Sequence, residues 1–300
     1  MRDSVASLHL RLSATTGCAD AMGGPSSGFA DINGLTYHYL QWGDEEAPAV
    51  LMLHGLRSYA HTWADIAEQV ALTHRVVAPD FRGRGESSWD PQRDYFTNPY
   101  VSDIEKLVAH LGLNDFSIVG HSMGGAVGYA YTARHPDQVD RLLIEDIGPG
   151  SSTNTAGADR ILREMAGTPD HFESLDSVHT YWRSIRPDIT DEALASRIQH
   201  TVRPAADGRW EWKLDMAGIA AARQSGDPAG PVDLWACVES LRCPTLVVRG
   251  AQSDFLPAET CVEMAQRQPL LRWTEVPNAG HYVHDDNPAA FTRIVLDFLP

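Results

Sequence analysis

The stretch "VGHSMGG" (119–125) places Ser122 two residues from Gly120 and two from Gly124. An apolar run, "FSIV", precedes it and a helical pattern, "AVGYAYTARH", follows. A helix N-cap accounts for a serine there, but not for glycines on both sides. A strand that turns sharply into a helix needs glycines for close backbone approach, and it exposes the turning residue at the C-terminal edge of the sheet. Gly-x-Ser-x-Gly between a strand and a helix therefore reads as a nucleophile elbow with Ser122 as the nucleophile.

A serine hydroxyl needs a base, and the base needs an orienting carboxylate. His281 in "NAGHYVHDDNP" follows the last apolar strand pattern and precedes the final helix, so it is the expected base; His284 is its competitor. In this class of site the acid falls between serine and histidine in chain order. Two strand-end aspartates qualify: Asp254 in "RGAQSDFLP", which is preferred, and Asp146 in "LIEDIGPG". The N–H of Met123, at a helix N-terminus, and the N–H of Leu56, after "LMLHG", are the expected oxyanion donors. His54 reads as structural. His281 and His284 lack further ligands at a recognisable spacing, so no metal site is expected.

These residues need a scaffold. Continuous apolar runs at 48–55, 74–80, 116–121, 141–146, 244–250 and 271–277 suit strands buried on both faces. Helical spacing fills 59–71, 100–112, 123–136, 257–268 and 288–299. Such alternation predicts a mostly parallel central sheet with helices on both faces, an α/β fold. "LTYHYLQWG" (35–43) alternates like an edge strand. Residues 150–236 break the pattern with helical signals and carry four of the eight tryptophans, Trp182, Trp210, Trp212 and Trp235. They read as an inserted helical cap between core segments 29–149 and 237–300. Trp182, Trp210, Trp212 and Tyr282 are expected at the substrate. The cap also holds Arg163, Arg183, Arg186, Arg197, Arg203 and Arg209, any one of which would suit a substrate carboxylate. Residues 1–28 read as a loose extension with no continuous apolar core of a secretory signal, and Met22 is an alternative start.

Five motifs in order, "LHG" (53–55), "PDFRGRGES" (79–87), "GHSMGG" (120–125), "RGAQSD" (249–254) and "GHYVHDDNP" (280–288), resemble the capped serine-hydrolase branch of the α/β-hydrolase fold superfamily. The resemblance spans about residues 30–300. It implies esterases, lactonases or carbon–carbon bond hydrolases. Its aspartate-nucleophile members, dehalogenases and epoxide hydrolases, do not match Ser122. Members that open ring-cleavage products often carry a tryptophan soon after the histidine, where this chain has Tyr282-Val283. Capped members acting on amides draw their acid from the position of Asp146. "DFRGRGES" reads as architectural.

Composition sets the limits. The 300 residues are 43% hydrophobic and 21% charged, as in an ordinary globular chain. A formal charge of −16 disfavours nucleic acid and anionic membrane as partners. Cys18, Cys237, Cys243 and Cys261 form no CxxC pair, so neither a disulfide framework nor a zinc site is expected. No apolar run approaches the roughly 20 residues of a membrane span. The expectation is a cytoplasmic monomer or homodimer that needs no cofactor and cleaves a small carboxylic ester or lactone through an acyl-enzyme. Carbon–carbon or amide hydrolysis by the same triad, or a non-catalytic small-ligand receptor, are the alternatives.

Overall fold

The computed structural model describes residues 24–300 apart from Asn154 and Asp188. In chain order the first half holds β1 (Ser26–Ile32), β2 (Leu35–Trp42), β3 (Ala49–Leu53), a 3-10 turn at Ala60–Trp63, α1 (Ala64–Val70), β4 (Arg75–Pro79), α2 (Thr97–Leu111), β5 (Phe116–His121), α3 (Met123–Arg134) and β6 (Val139–Glu145). The inserted segment holds α4 (Ala156–Ala166), β7 (His171–Phe172), α5 (Leu175–Ile185), α6 (Asp191–Thr201), β8 (Val202–Pro204), β9 (Trp210–Trp212) and α7 (Met216–Ser225). The chain closes with α8 (Leu234–Ser240), β10 (Thr245–Gly250), α9 (Ala258–Arg267), β11 (Leu271–Val276), α10 (Val283–Asp286) and α11 (Pro288–Phe298).

Eight strands form one sheet in the order β1-β2-β4-β3-β5-β6-β10-β11. Pairing is antiparallel at β1/β2 and β2/β4 and parallel from β4 to β11. The expected mostly parallel α/β sheet is therefore present. Its continuous apolar runs have a simple cause. In β3, Leu51 and Leu53 point into one buried layer with α2 and α3, while Val50 and Met52 point into the other with α1 and α11. Both faces are covered, so neither side chain of each successive pair meets water.

Three boundaries differ from expectation. Residues 35–43 do not form the edge, because β1 pairs outside β2 through Ser26–Ile32. Ser26, Ser27 and Gly28 thus belong to a strand; the rest of the expected extension, 1–23 with Cys18 and Met22, lies outside the described residues. The cap is not purely helical either. Strands β7, β9 and β8 form a small antiparallel sheet in which the bulky "WEW" of β9 is central. Finally, the expected cap boundary at 236 falls within α8, which packs on α3 and α9 of the core.

The "DFRGRGES" loop is architectural, as its composition suggests. Asp103, fully buried on α2, accepts Arg82 Nε and Nη2 at 2.6 and 2.5 Å and the Tyr37 hydroxyl at 2.7 Å. Asp80 accepts the Ala60 and Glu86 N–H groups at 2.6 and 3.0 Å. Removing one partner of a buried charge pair strands the other. Asp103→Ala is therefore expected to lower the unfolding free energy by about 3–5 kcal/mol in urea titration; a loss below about 1 kcal/mol contradicts this role.

Candidate active site

The turn from β5 to α3 delivers the serine. Ser122 has φ +51° and ψ −116°, a conformation non-glycine residues rarely adopt. It persists because its surroundings leave no alternative. A Cβ at Gly124 would lie 2.2 Å from the Leu53 carbonyl oxygen, and one at Gly120 2.7 Å from that of Gly124. The two motif glycines thus let α3 start directly against β3. The Ser122 N–H is held by the Glu145 carbonyl at 3.0 Å.

Three side chains then form one hydrogen-bonded series. Ser122 Oγ lies 2.9 Å from His281 Nε2, and His281 Nδ1 lies 2.8 Å from Asp146 Oδ2. Ser122 and His281 are brought together as their motifs predict. The acid is a correction: the carboxylate on the imidazole is that of Asp146, not Asp254. Asp146 follows β6, which lies between β5 and β10, so it emerges beside the nucleophile. Its own φ of +52° turns the carboxylate along the sheet rim. There Oδ1 accepts the Gly250 N–H at 3.0 Å and Oδ2 accepts the Ser253 hydroxyl at 2.5 Å. Asp254 lies four residues beyond β10 and pairs with the cap. It takes a two-pronged contact from Arg160 Nε and Nη2 at 2.8 and 2.9 Å, which holds its pKa below the ordinary value.

Leu56 and Met123 line the cavity together with Ser122. Among the described residues neither N–H has a hydrogen-bond partner, and that of Met123 opens α3. Both are placed to receive negative charge. The Leu56 loop is braced by His54, which donates Nδ1–H to the Gly55 carbonyl at 2.8 Å and accepts the Phe81 N–H on Nε2 at 3.1 Å. Burial lowers the His54 pKa to about 4, so it stays neutral with a fixed tautomer. Arg84 adds Nε to the Leu56 carbonyl at 2.9 Å and Nη2 to Met123 Sδ at 3.4 Å.

The competitor His284 turns away from the serine. Its Nδ1 meets Glu145 at 2.8 Å and its Nε2 meets Thr62 Oγ1 at 3.2 Å. Burial opposes its charge, but Glu145 outweighs burial and the pKa is raised; burial raises Glu145 too, so the pair retains a proton. His121 completes this buried layer by donating Nε2–H to the His281 carbonyl at 2.9 Å. Burial, aided by His284 and His281, drives its pKa well down. His121, Glu145 and His284 bring ligand-type atoms within 4.8 Å of one another. His284 bonds to Glu145 and Thr62, and His121 to the His281 carbonyl with its Nδ1 unpartnered among the described residues, which reads as bracing behind His281.

The cavity over Ser122 measures about 330 Å³. Its walls are not the expected tryptophans. Trp182 and Trp212 are buried edge-to-face in the cap with Tyr181 and Phe172, as a small unit with its own core requires. Trp210 lines a groove on the outside of the cap. Tyr282 lies under the Arg186 guanidinium and lines a separate opening beside His281. The walls missed from sequence are Tyr95, Phe96 and Tyr100, around the start of α2, with Ile147 and Phe255. Phe255 follows Asp254 directly and packs against the His281 ring, with centroids 4.3 Å apart and the planes tilted by 47°. Adjacency to the acid motifs was the available signal for Ile147 and Phe255; the α2 aromatics carried none beyond core spacing.

Residues 48–288 match the family model described as the alpha/beta hydrolase fold. A 3-hydroxybutyrate-oligomer hydrolase of Cupriavidus necator is 33% identical over 267 residues, covering 84% of this chain and 88% of that protein. An esterase of Mycobacterium tuberculosis is 29% identical, covering 85% and 84%. The crystal structure of E-2-(acetamidomethylene)succinate hydrolase superposes with a TM-score of 0.80 at 25% identity, covering 91% of this chain and 98% of that one.

Two outcomes follow from this geometry. Asp146→Asn is expected to lower kcat about 10⁴-fold, and Asp254→Asn only a few-fold; steady-state kinetics in the reverse order refutes the assignment. His54 titrates at 6.5 when unfolded and near 4 when folded. Its contribution is complete above pH 6.5 and falls by about 1.4 kcal/mol per unit as the pH drops towards 4. Urea unfolding at pH 7, 6 and 5 should show stability falling as the pH falls, with His121 and His200 adding to the fall, and His54→Asn should lessen the slope by about that amount.

Proposed function

The chain belongs to the α/β-hydrolase family and is an enzyme with hydrolase activity, and from that premise we propose that it cleaves a small carboxylic ester or lactone by a Ser122–His281–Asp146 triad. The observation that carries this reading is the unbroken series of contacts, 2.9 and 2.8 Å, from hydroxyl to imidazole to buried carboxylate under the cavity. His281 Nε2 takes the Ser122 proton as Oγ attacks the carbonyl carbon. The tetrahedral oxyanion is met by the N–H groups of Met123 and Leu56. Asp146 holds Nδ1–H, which fixes the tautomer and offsets the charge of the imidazolium. His281 then protonates the leaving alcohol, the acyl-enzyme forms, and the same imidazole activates water for its hydrolysis.

The apolar walls, Leu56, Phe96, Met123, Ile147 and Phe255, suit a short or medium acyl or alcohol group. Relatives whose names denote ester cleavage, the 3-hydroxybutyrate-oligomer hydrolase and the esterase, support this choice of bond. The proposed setting remains a cytoplasmic one. The test is turnover of 4-nitrophenyl acetate and butyrate. Wild type is expected to hydrolyse them, and Ser122→Ala to lose at least about 10⁴-fold in kcat with the fold retained by circular dichroism. Wild-type protein inert towards esters and lactones, or a Ser122→Ala variant that still turns over, overturns the proposal.

A further inference from the structure

A guanidinium without a counter-charge among the described residues lies behind the cavity above Ser122. Arg84 is fully buried behind its floor, with cation–π contacts to Tyr100 and Tyr95 at 5.2 and 5.9 Å. Its hydrogen bonds among the described residues go to uncharged groups, the carbonyls of Leu56 and Arg82 and Met123 Sδ. Among the described residues no carboxylate lies in ion-pair reach of it. Its neighbour Arg82, by contrast, is paired with Asp90 and Asp103. A buried guanidinium with no counter-charge is an unfavourable arrangement unless something else supplies the anion.

A second guanidinium, Arg223 on α7, lines the same cavity from the cap side and also lacks an ion-pair partner among the described residues. Other cap arginines, as Arg160 with Asp254, Arg186 with Asp286 and Arg197 with Asp285, have partners, and Arg163, which like Arg223 has none among the described residues, does not line the cavity. Arg223 keeps exposed surface, and desolvation of the part that enters the cavity lowers its pKa, with Tyr100 opposing this and repulsion from Arg84 adding to it. Tyr100, over whose ring Arg84 lies, also lines the cavity, and its buried hydroxyl accepts no well-formed hydrogen bond and donates none among the described residues. A phenol stays protonated at neutral pH, and burial raises the Tyr100 pKa further, so its O–H is an unused donor. Asp227, the one acid among the described lining residues, accepts the Ala229 N–H at 2.9 Å within its own turn.

We propose that this cavity receives a carboxylate carried by the substrate, held by the Arg223 guanidinium and the Tyr100 hydroxyl, with the Arg84 charge behind them. A guanidinium and a phenol suit a planar anion, since charge-assisted hydrogen bonds to carboxylate are about twice as strong as neutral ones. The substrate class is then an ester or lactone of a dicarboxylic or hydroxy acid that keeps one free carboxylate. This rests on the hydrolase reading given above and narrows it.

The experiment compares kcat/KM for 4-nitrophenyl hydrogen glutarate against 4-nitrophenyl pentanoate, and for 4-butyryloxybenzoate against phenyl butyrate. The first pair places the carboxylate on the acyl side and the second on the alcohol side. Wild type is expected to favour the anion at least tenfold in one pair. Arg223→Gln should cut that anion-to-neutral ratio about tenfold or more, and Tyr100→Phe by a smaller factor. Glutarate binding to the Ser122→Ala protein, followed by calorimetry, should weaken in parallel in Ser122→Ala/Arg223→Gln. Wild-type ratios near one in both pairs, or ratios untouched by Arg223→Gln, overturn the carboxylate subsite. Absence of Ser122-dependent turnover of all four esters instead overturns the hydrolase reading, so the two failures give different results.

Discussion

A serine backbone held at φ +51° carries everything else at this site. Such a conformation costs of the order of 1–3 kcal/mol and persists only where the surroundings over-determine it. Here the constraint is steric on one side and polar on the other. Glycines at 120 and 124 admit a helix so close to β3 that no Cβ would fit, and the Glu145 carbonyl holds the serine N–H. The hydroxyl is thereby lifted off the sheet toward His281, and the first amide of α3 is left facing the same space. The Ser122 hydroxyl and the Met123 N–H are thus set by one backbone turn, and errors in one would appear in the other.

Around that turn the protein controls charge by burial. His54 and His121 are kept neutral by desolvation, so each has one donor and one acceptor nitrogen, and each uses its donor to fix a backbone carbonyl. Glu145 and His284, directly behind, retain a proton between them. The imidazole of His281 consequently sits among groups whose protonation is already settled, with one carboxylate, Asp146, in contact with it. The guanidinium groups of Arg84 and Arg223, without a counter-charge among the described residues, lie on the far side of Ser122.

The sheet, the elbow and the histidine were legible because each is written in a local pattern: apolar runs covered on both faces, glycines flanking a serine, a glycine before a histidine after the last strand. The acid was not, because both aspartates follow strands and only lateral strand order separates them. β6 adjoins β5, which brings Asp146 to Ser122, while Asp254 is carried past the rim to Arg160. The tryptophans misled for a related reason. A cap of short helices must first build its own core, and Trp182 and Trp212 serve that need. The walls came instead from Tyr95, Phe96 and Tyr100, whose positions resemble those of any core-facing aromatic. Ser26–Ile32 was overlooked because small polar residues weaken its alternation, although an antiparallel edge needs only one apolar face.

Asp286 joins two parts of the molecule through one carboxylate. Its Oδ2 accepts the N–H of Gly280, the residue before His281, at 2.8 Å, and its Oδ1 accepts Nη2 of Arg186, at the end of α5, at 2.8 Å. Arg186 also covers Tyr282, the residue after His281. The residues on either side of His281 are therefore tied through Arg186 to the inserted segment, so the setting of that imidazole depends on how the segment is seated.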